Sequence, residues 1–331
     1  MRSSRCVPGT LFLEDNQFSR IGMVFAGSQA NAIDMCKSVL MLFCLCFSST
    51  IALAQNTKMQ YFGQVPAGMT SSTFAPGIIS LPDRVEFGSI YSRDGNEFYY
   101  AIEIKGKAEI RFMKFDNNQW SEPRQLMVHG EYSYNDPFLT PDEKRLFFIS
   151  DRSLSGEGPK KDYDIWYIER NGTQWSKPVN AGPKINSAKN EYYMSFTKTG
   201  AIYFSSNVNG AERTEDYDIY TCRYADGEFK PAVRLGPAVN TTGYEADVYV
   251  NPDETYLIYC SNRPGTFGRG DLFISFRNVD GSWTPSKNMG KEVNEGFTEY
   301  CPFVTPDGKF LLFTAKGDIR WIDADIINKL K

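Results

Sequence analysis

Between Asp162 and Asn186 the chain reads DYDIWYIERNGTQWSKPVNAGPKIN, and 54 residues later, from Asp216 to Asn240, it reads DYDIYTCRYADGEFKPAVRLGPAVN. Apolar and aromatic positions persist while many polar letters change. This is a structural repeat, and no other feature restricts the fold as strongly. Its aromatic residue after a Gly/Asn turn recurs at Trp120, Trp175, Phe229 and Trp283, at spacings of 55, 54 and 54. A proline follows at Pro123, Pro178, Pro231 and Pro285. The segment GPKIN at Gly182–Asn186 returns as GPAVN at Gly236–Asn240 and GKEVN at Gly290–Asn294. An acidic residue opens an apolar strand at Asp164, Asp218, Asp271 and Asp318, with Glu109 in that place in the first copy. A further segment appears as YSRDGNEFYYAI, LTPDEKRLFFIS, FTKTGAIYFSS, VNPDETYLIYCS and VTPDGKFLLFTA, which makes five copies.

Each copy reads as four short strands. The first, as in NDPFLT, leads through a Pro-Asp-Gly type turn into a second that is almost wholly apolar, as in RLFFIS. Proline presets φ and glycine accepts positive φ, so these turns connect antiparallel neighbours. The second strand shows no polar alternation and must be covered on both faces, which only adjacent copies can do. The expected fold is therefore all-β: a five-bladed β-propeller of four-stranded antiparallel blades. The aromatic content of 15% agrees with a strand-rich chain. The blades are expected at roughly 85–131, 132–190, 191–244, 245–298, and 299–327 joined by 59–84. The last copy ends after DIRWIDADII without an outer strand, and Pro76–Ser80 (PGIIS) occupies the place of GPKIN before the first complete copy. The N-terminal stretch is thus expected to close the ring as the fourth strand of the last blade.

The runs TPDEKRLFFISDR…DYDIWY, NPDETYLIYCSNR…GDLFIS and TPDGKFLLFTAKGDIRW resemble the TolB-like propeller repeats, also described as WD-like without the WD dipeptide. The resemblance spans Tyr61 to Ile327. The third copy departs from it with TKTGA, and the fifth lacks the Ser-Asn-Arg step. It implies a binding or scaffolding module whose partner is an envelope or extracellular protein segment or a glycan.

The N-terminal region carries an address. From Met35 the chain has one lysine, an apolar run from Val39 to Phe47, and the small-residue site Ala52-Leu53-Ala54. That is the layout of a signal peptide over 35–54, cleaved before Gln55. Residues 1–34 are expected to be an over-extended reading frame, and the mature chain, 55–331, a periplasmic or secreted monomer without a membrane anchor. Cleavage leaves Cys222, Cys260 and Cys301, an odd count that argues against a disulfide framework; buried thiols are expected. The formal net charge of −4 provides no basic footprint for nucleic acid. The single histidine, His129, in LMVHGEYS, excludes a histidine-rich metal site, and no cofactor is expected.

Aligned on their turns, the copies place Glu86, Tyr134, Glu191, Glu245 and Glu299 at one position and Gly88, Asp136, Tyr193, Asp247 and Cys301 two places on. Strand alternation would put both sets at the central channel. Glu86, Tyr134, Asp136, Glu191, Glu245, Asp247 and Glu299 are therefore the candidate ligand-binding residues, for a cationic or hydroxyl-rich ligand or a metal held by oxygen atoms. The alternative is that each glutamate serves its own blade, repeated because the blade is repeated. A hydrolytic reading exists as well. NDPFLT at Asn135–Thr140 is similar to the base motif of five-bladed glycoside hydrolases, which implies Asp136 as base and Glu191 or Glu245 as acid.

Overall fold

The computed structural model describes residues 60–127, 131–209, 216–225 and 228–331. The expected leader, the residues before it and His129 lie outside the described residues. Five antiparallel sheets follow one another along the chain, each running from an inner strand outward. The inner strands are Val85–Tyr91, Tyr134–Leu139, Glu191–Phe196, Glu245–Val250 and Tyr300–Val304. Each touches the inner strand of the next blade, and the fifth touches the first, so the sheets form a five-bladed propeller.

The second strands carry the core. Arg145–Ser150, Tyr256–Ser261 and Phe310–Ala315 are buried along nearly their whole length, as apolar runs without alternation require. The recurrent asparagine of the GPxxN segments has a definite task. Asn186 accepts from the Ile165 N–H at 2.9 Å and donates to the Ile165 carbonyl at 2.9 Å. Asn240 does the same with Ile219, and Asn294 with Leu272. One side-chain amide thus satisfies the N–H near the start of the third strand and gives its carbonyl a second donor beside the backbone N–H of Ala181, Leu235 or Met289. The recurrent aromatics join blades: Phe229 lies edge-on to Phe147 of the preceding blade, and Trp283 to Tyr203.

The seam closes as expected. Ser72–Thr73 pairs antiparallel with Asp318–Asp323, in the register Ser72 to Trp321 and Thr73 to Arg320. The Phe74 N–H donates to the Ile319 carbonyl at 2.8 Å, the same role that Ala181, Leu235 and Met289 play in other blades. Just upstream, Tyr61 packs on Phe310 and Trp321 of the last blade, while Phe62 stacks on Trp120 of the first. Among the described residues no helix is long and apolar enough to cross a membrane. Cys222, Cys260 and Cys301 are free and buried.

Candidate functional site

Every inner strand breaks its register near its start. The slips fall at Phe87/Ile90, Asn135/Phe138, Tyr192/Met194, Ala246/Tyr249 and Tyr300/Phe303. At each slip one residue is left-handed: Gly88 (φ 56°), Asp136 (48°), Tyr193 (36°), Asp247 (56°) and Cys301 (52°). Four of these five are not glycine, and such backbone costs about 1–3 kcal/mol at each position unless its surroundings enforce it. Contacts between blades surround several of them. The Tyr193 hydroxyl donates to the Pro302 carbonyl at 2.8 Å, and the Cys301 thiol to Asp136 Oδ1 at 3.5 Å. A β-carbon on Gly88 would come within 2.8 Å of Asp136 Oδ1 and 3.1 Å of Asp136 Cα, so the first blade can only supply glycine there.

The bulges redirect the side chains. After a bulge the simple two-residue alternation no longer holds. The residues beside the glutamate position, Phe87, Asn135, Tyr192, Ala246 and Tyr300, face a cavity of about 330 Å³. Asp136, Asp247 and Cys301 face it from the bulges, and Tyr217 and Tyr244 complete the wall. The rings run edge to face, with Tyr192 5.6 Å from Tyr217 and Tyr217 5.7 Å from Tyr244. Further along the inner strands Phe138, Phe196, Tyr249 and Phe303 meet at about 6 Å centroid spacing and plug the channel. Beyond that plug, at the opposite ends of the strands, lies a separate depression of about 850 Å³.

The four glutamates do not line the cavity. All are fully buried, and each turns to the loop before its own strand. Glu191 accepts from the Ser187 N–H (3.0 Å), the Ser187 hydroxyl (2.7 Å) and the Ser206 hydroxyl (2.8 Å). Glu245 accepts from the Thr241 N–H and hydroxyl, both at 2.7 Å, from Ser261 at 2.9 Å and from Arg263 at 3.2 Å. Glu86 binds Arg84, and Glu299 accepts from the Glu295 N–H. Their backbone N–H groups also tie blades together, as in Glu191 to the Tyr163 carbonyl and Glu245 to that of Tyr217. Burial pushes Glu191 and Glu299 each up to about 7. Tyr134, the second blade's residue at this position, is buried and likewise does not line the cavity.

Of the candidate residues, the structure brings together Asp136 and Asp247. Asp136 is pushed up to about 7 by burial, against the Cys301 thiol, which lowers it. Asp247 is pushed up to about 8 by burial and by the nearby Asp136 charge. Neither has a basic partner among the described residues. The Asn135 Oδ1 atom is buried without a hydrogen-bond partner among the described residues. Among the described residues no group of three or more His, Cys, Asp or Glu is placed to hold a metal ion. Sequence reading missed the five residues beside the glutamate position, together with Tyr217 and Tyr244. The readable signal was the recurrence of Tyr before an acidic letter, as in YDIY and GYEAD.

No protein-family model and no curated protein matches the chain. Among solved structures it is similar to TolB from Acinetobacter baumannii, at 12% identity over 71% of this chain and 53% of that one, with a TM-score of 0.43. The chain therefore spans about half the length of that TolB. It is also similar to a protein of unknown function from Dyadobacter fermentans (14% identity, 79% of this chain and 85% of that one, TM-score 0.47). A thermostable family-43 glycoside hydrolase is a further neighbour (13% identity, 74% and 90%, TM-score 0.48). At this distance the likenesses concern the course of the chain and not its chemistry.

Proposed function

We propose that the chain is an exported, TolB-like propeller that works as a binding module, engaging an envelope or extracellular protein segment or a glycan at the tyrosine-walled mouth. The supporting observation is the cavity itself. It is concave, walled by Phe87 and four tyrosines, and floored by two carboxyl groups that have no basic partner among the described residues. Apolar walls with a few convergent polar groups are the usual make-up of a ligand site. A polar group buried without a partner is costly, and a ligand that supplies one recovers that cost. Hydrolysis is the weaker reading, because Glu191 and Glu245, the acids it calls for beside Asp136, are engaged by serine and threonine of their own loops and neighbouring strands.

The test is a screen of peptide and glycan arrays with the wild-type chain and with the Tyr192→Ala/Tyr244→Ala double variant. A ligand held by wild type and lost by a folded double variant supports the reading. Ligands indifferent to that change, or turnover of aryl-glycosides abolished by Asp136→Asn, would replace it. N-terminal sequencing of the mature protein is expected to begin near Gln55.

A further inference from the structure

We propose that the central cavity is a receptor for a cationic nitrogen group, a lysine- or arginine-type side chain presented by a bound protein segment and held between Asp136 and Asp247. This rests on the binding-module reading and narrows it to one ligand chemistry.

Three independent features converge. First, Asp136 and Asp247 are each more than nine-tenths buried, and both face the cavity. Among the described residues the Cys301 thiol is Asp136's one side-chain donor, and the Asp247 carboxylate accepts no hydrogen bond. Second, Asn135, also more than nine-tenths buried, lines the same space, and its Oδ1 atom has no hydrogen-bond partner among the described residues. These acceptors call for a donor-rich ligand. Third, the walls are tyrosine rings, whose faces attract cations. A neutral sugar would use the rings and hydrogen-bond the acceptors, but would supply no counter-charge as the two acids ionise, in a low-dielectric site, above about pH 7 to 8.

The chain itself meets this combination elsewhere with its own arginines. Arg170 bonds Glu97 through both terminal nitrogens, at 3.0 and 2.7 Å, and lies 4.5 Å over the Trp175 ring. Arg263 reaches Glu245 at 3.2 Å and lies over Tyr259 and Phe273. In the central cavity no described lysine or arginine plays that part. A volume of about 330 Å³ fits one side-chain-sized group, not an extended oligosaccharide.

Among the described residues, the groups facing the two acids carry no positive charge. Asp136 is faced by Cys301, Asp247, Tyr192, Tyr193 and Tyr300. Asp247 is faced by Asp136, Cys260, Cys301, Tyr217 and Tyr244. A bound cation favours the ionised carboxylates, so binding releases protons and tightens as the pH rises through about 7 and about 8.

The experiment titrates the full chain with n-butylguanidinium and n-butylammonium as side-chain probes, and with n-pentanol and maltose as neutral ones. Both cations are expected to bind, at least about tenfold more tightly at pH 8.5 than at pH 6, with neither neutral probe matching them. Asp136→Asn/Asp247→Asn is expected to abolish cation binding. If that variant fails to fold, the wild-type pH profile decides alone, because a flat profile overturns the proposal. Peptides carrying lysine or arginine are expected to bind more tightly than the free amines, and acetyl-lysine peptides not to bind. Tighter binding of the free amines would overturn the protein-segment source. Maltose binding that is lost in Tyr192→Ala but kept in the aspartate variant would overturn the cation while sustaining the binding module. Absence of binding by every probe and by the peptide and glycan arrays would overturn both.

Discussion

The Tyr193 hydroxyl on the third blade donates to the Pro302 carbonyl on the fifth, at 2.8 Å, straight across the propeller axis. Both groups are buried and Tyr193 is left-handed, so this hydrogen bond helps to hold a backbone that the residue would not otherwise adopt. Tyr193→Phe keeps the ring and strands the carbonyl. Urea denaturation is expected to show a loss of about 1–3 kcal/mol. An unchanged midpoint would mean that the bulge ring is held by packing alone.

The glutamates make a contrasting prediction. Glu245 accepts four hydrogen bonds from its own loop, its neighbouring strand and Arg263. Glu245→Gln turns an amide N–H₂ toward donors, and the expected cost is about 1.5–3 kcal/mol of stability. Glu191→Gln should behave alike. Binding by the folded variants is expected to be unchanged, since neither side chain lines the cavity. Weakened binding at wild-type stability would return these glutamates to the site.

Stability should also depend on pH in a defined direction. Burial raises Asp136 and Asp247 above their unfolded range, so the fold favours the protonated forms. The stabilisation they contribute is complete below about pH 4 and is lost as the pH rises through about 7 and about 8. Glu191 and Glu299 act in the same direction, so the informative comparison is between wild type and Asp247→Asn. Chemical denaturation at pH 5 and pH 9 is expected to show the variant losing less stability than wild type, by more than about 1 kcal/mol. Equal losses would place the Asp247 carboxylate in water.

Closure of the ring can be cut. Removing the chain through about residue 81 deletes the pairing to Trp321 and Arg320 and the fully buried Phe74. It also uncovers Trp120, on which Phe62 stacks. Losing Phe74 alone should cost about 3–5 kcal/mol, and the bared edge of Asp318–Asp323 invites pairing with another chain. A lower unfolding midpoint with oligomers on size exclusion is the expected result. A monomer with the parent midpoint would show that the seam contributes nothing.

The architecture was legible in the sequence because its causes are local and repeated. The Pro-Asp-Gly turns, the unalternating second strands and the outer aromatics impose the same four-stranded unit in each copy, and an apolar strand that needs two covers requires a neighbour on each side. Even the seam could be read, since PGIIS stands where GPKIN stands. The site was only half legible, and the reason is geometric. Alternation assigns Glu191 and Tyr193, or Glu245 and Asp247, to one face, but the bulge at the second member of each pair breaks that rule. The glutamates were therefore expected at the axis, whereas their hydrogen bonds run to Ser187 and Thr241 of the preceding loops and to Ser206 and Ser261 of the neighbouring strands. Contacts that close between blades accompany the bulges, Tyr193 to Pro302 and Cys301 to Asp136, between residues 109 and 165 positions apart. Sequence alone thus determined the blade, its number and its closure, while the tertiary ring decided which side chains look into the cavity, because only there do five inner strands meet and turn one another's residues.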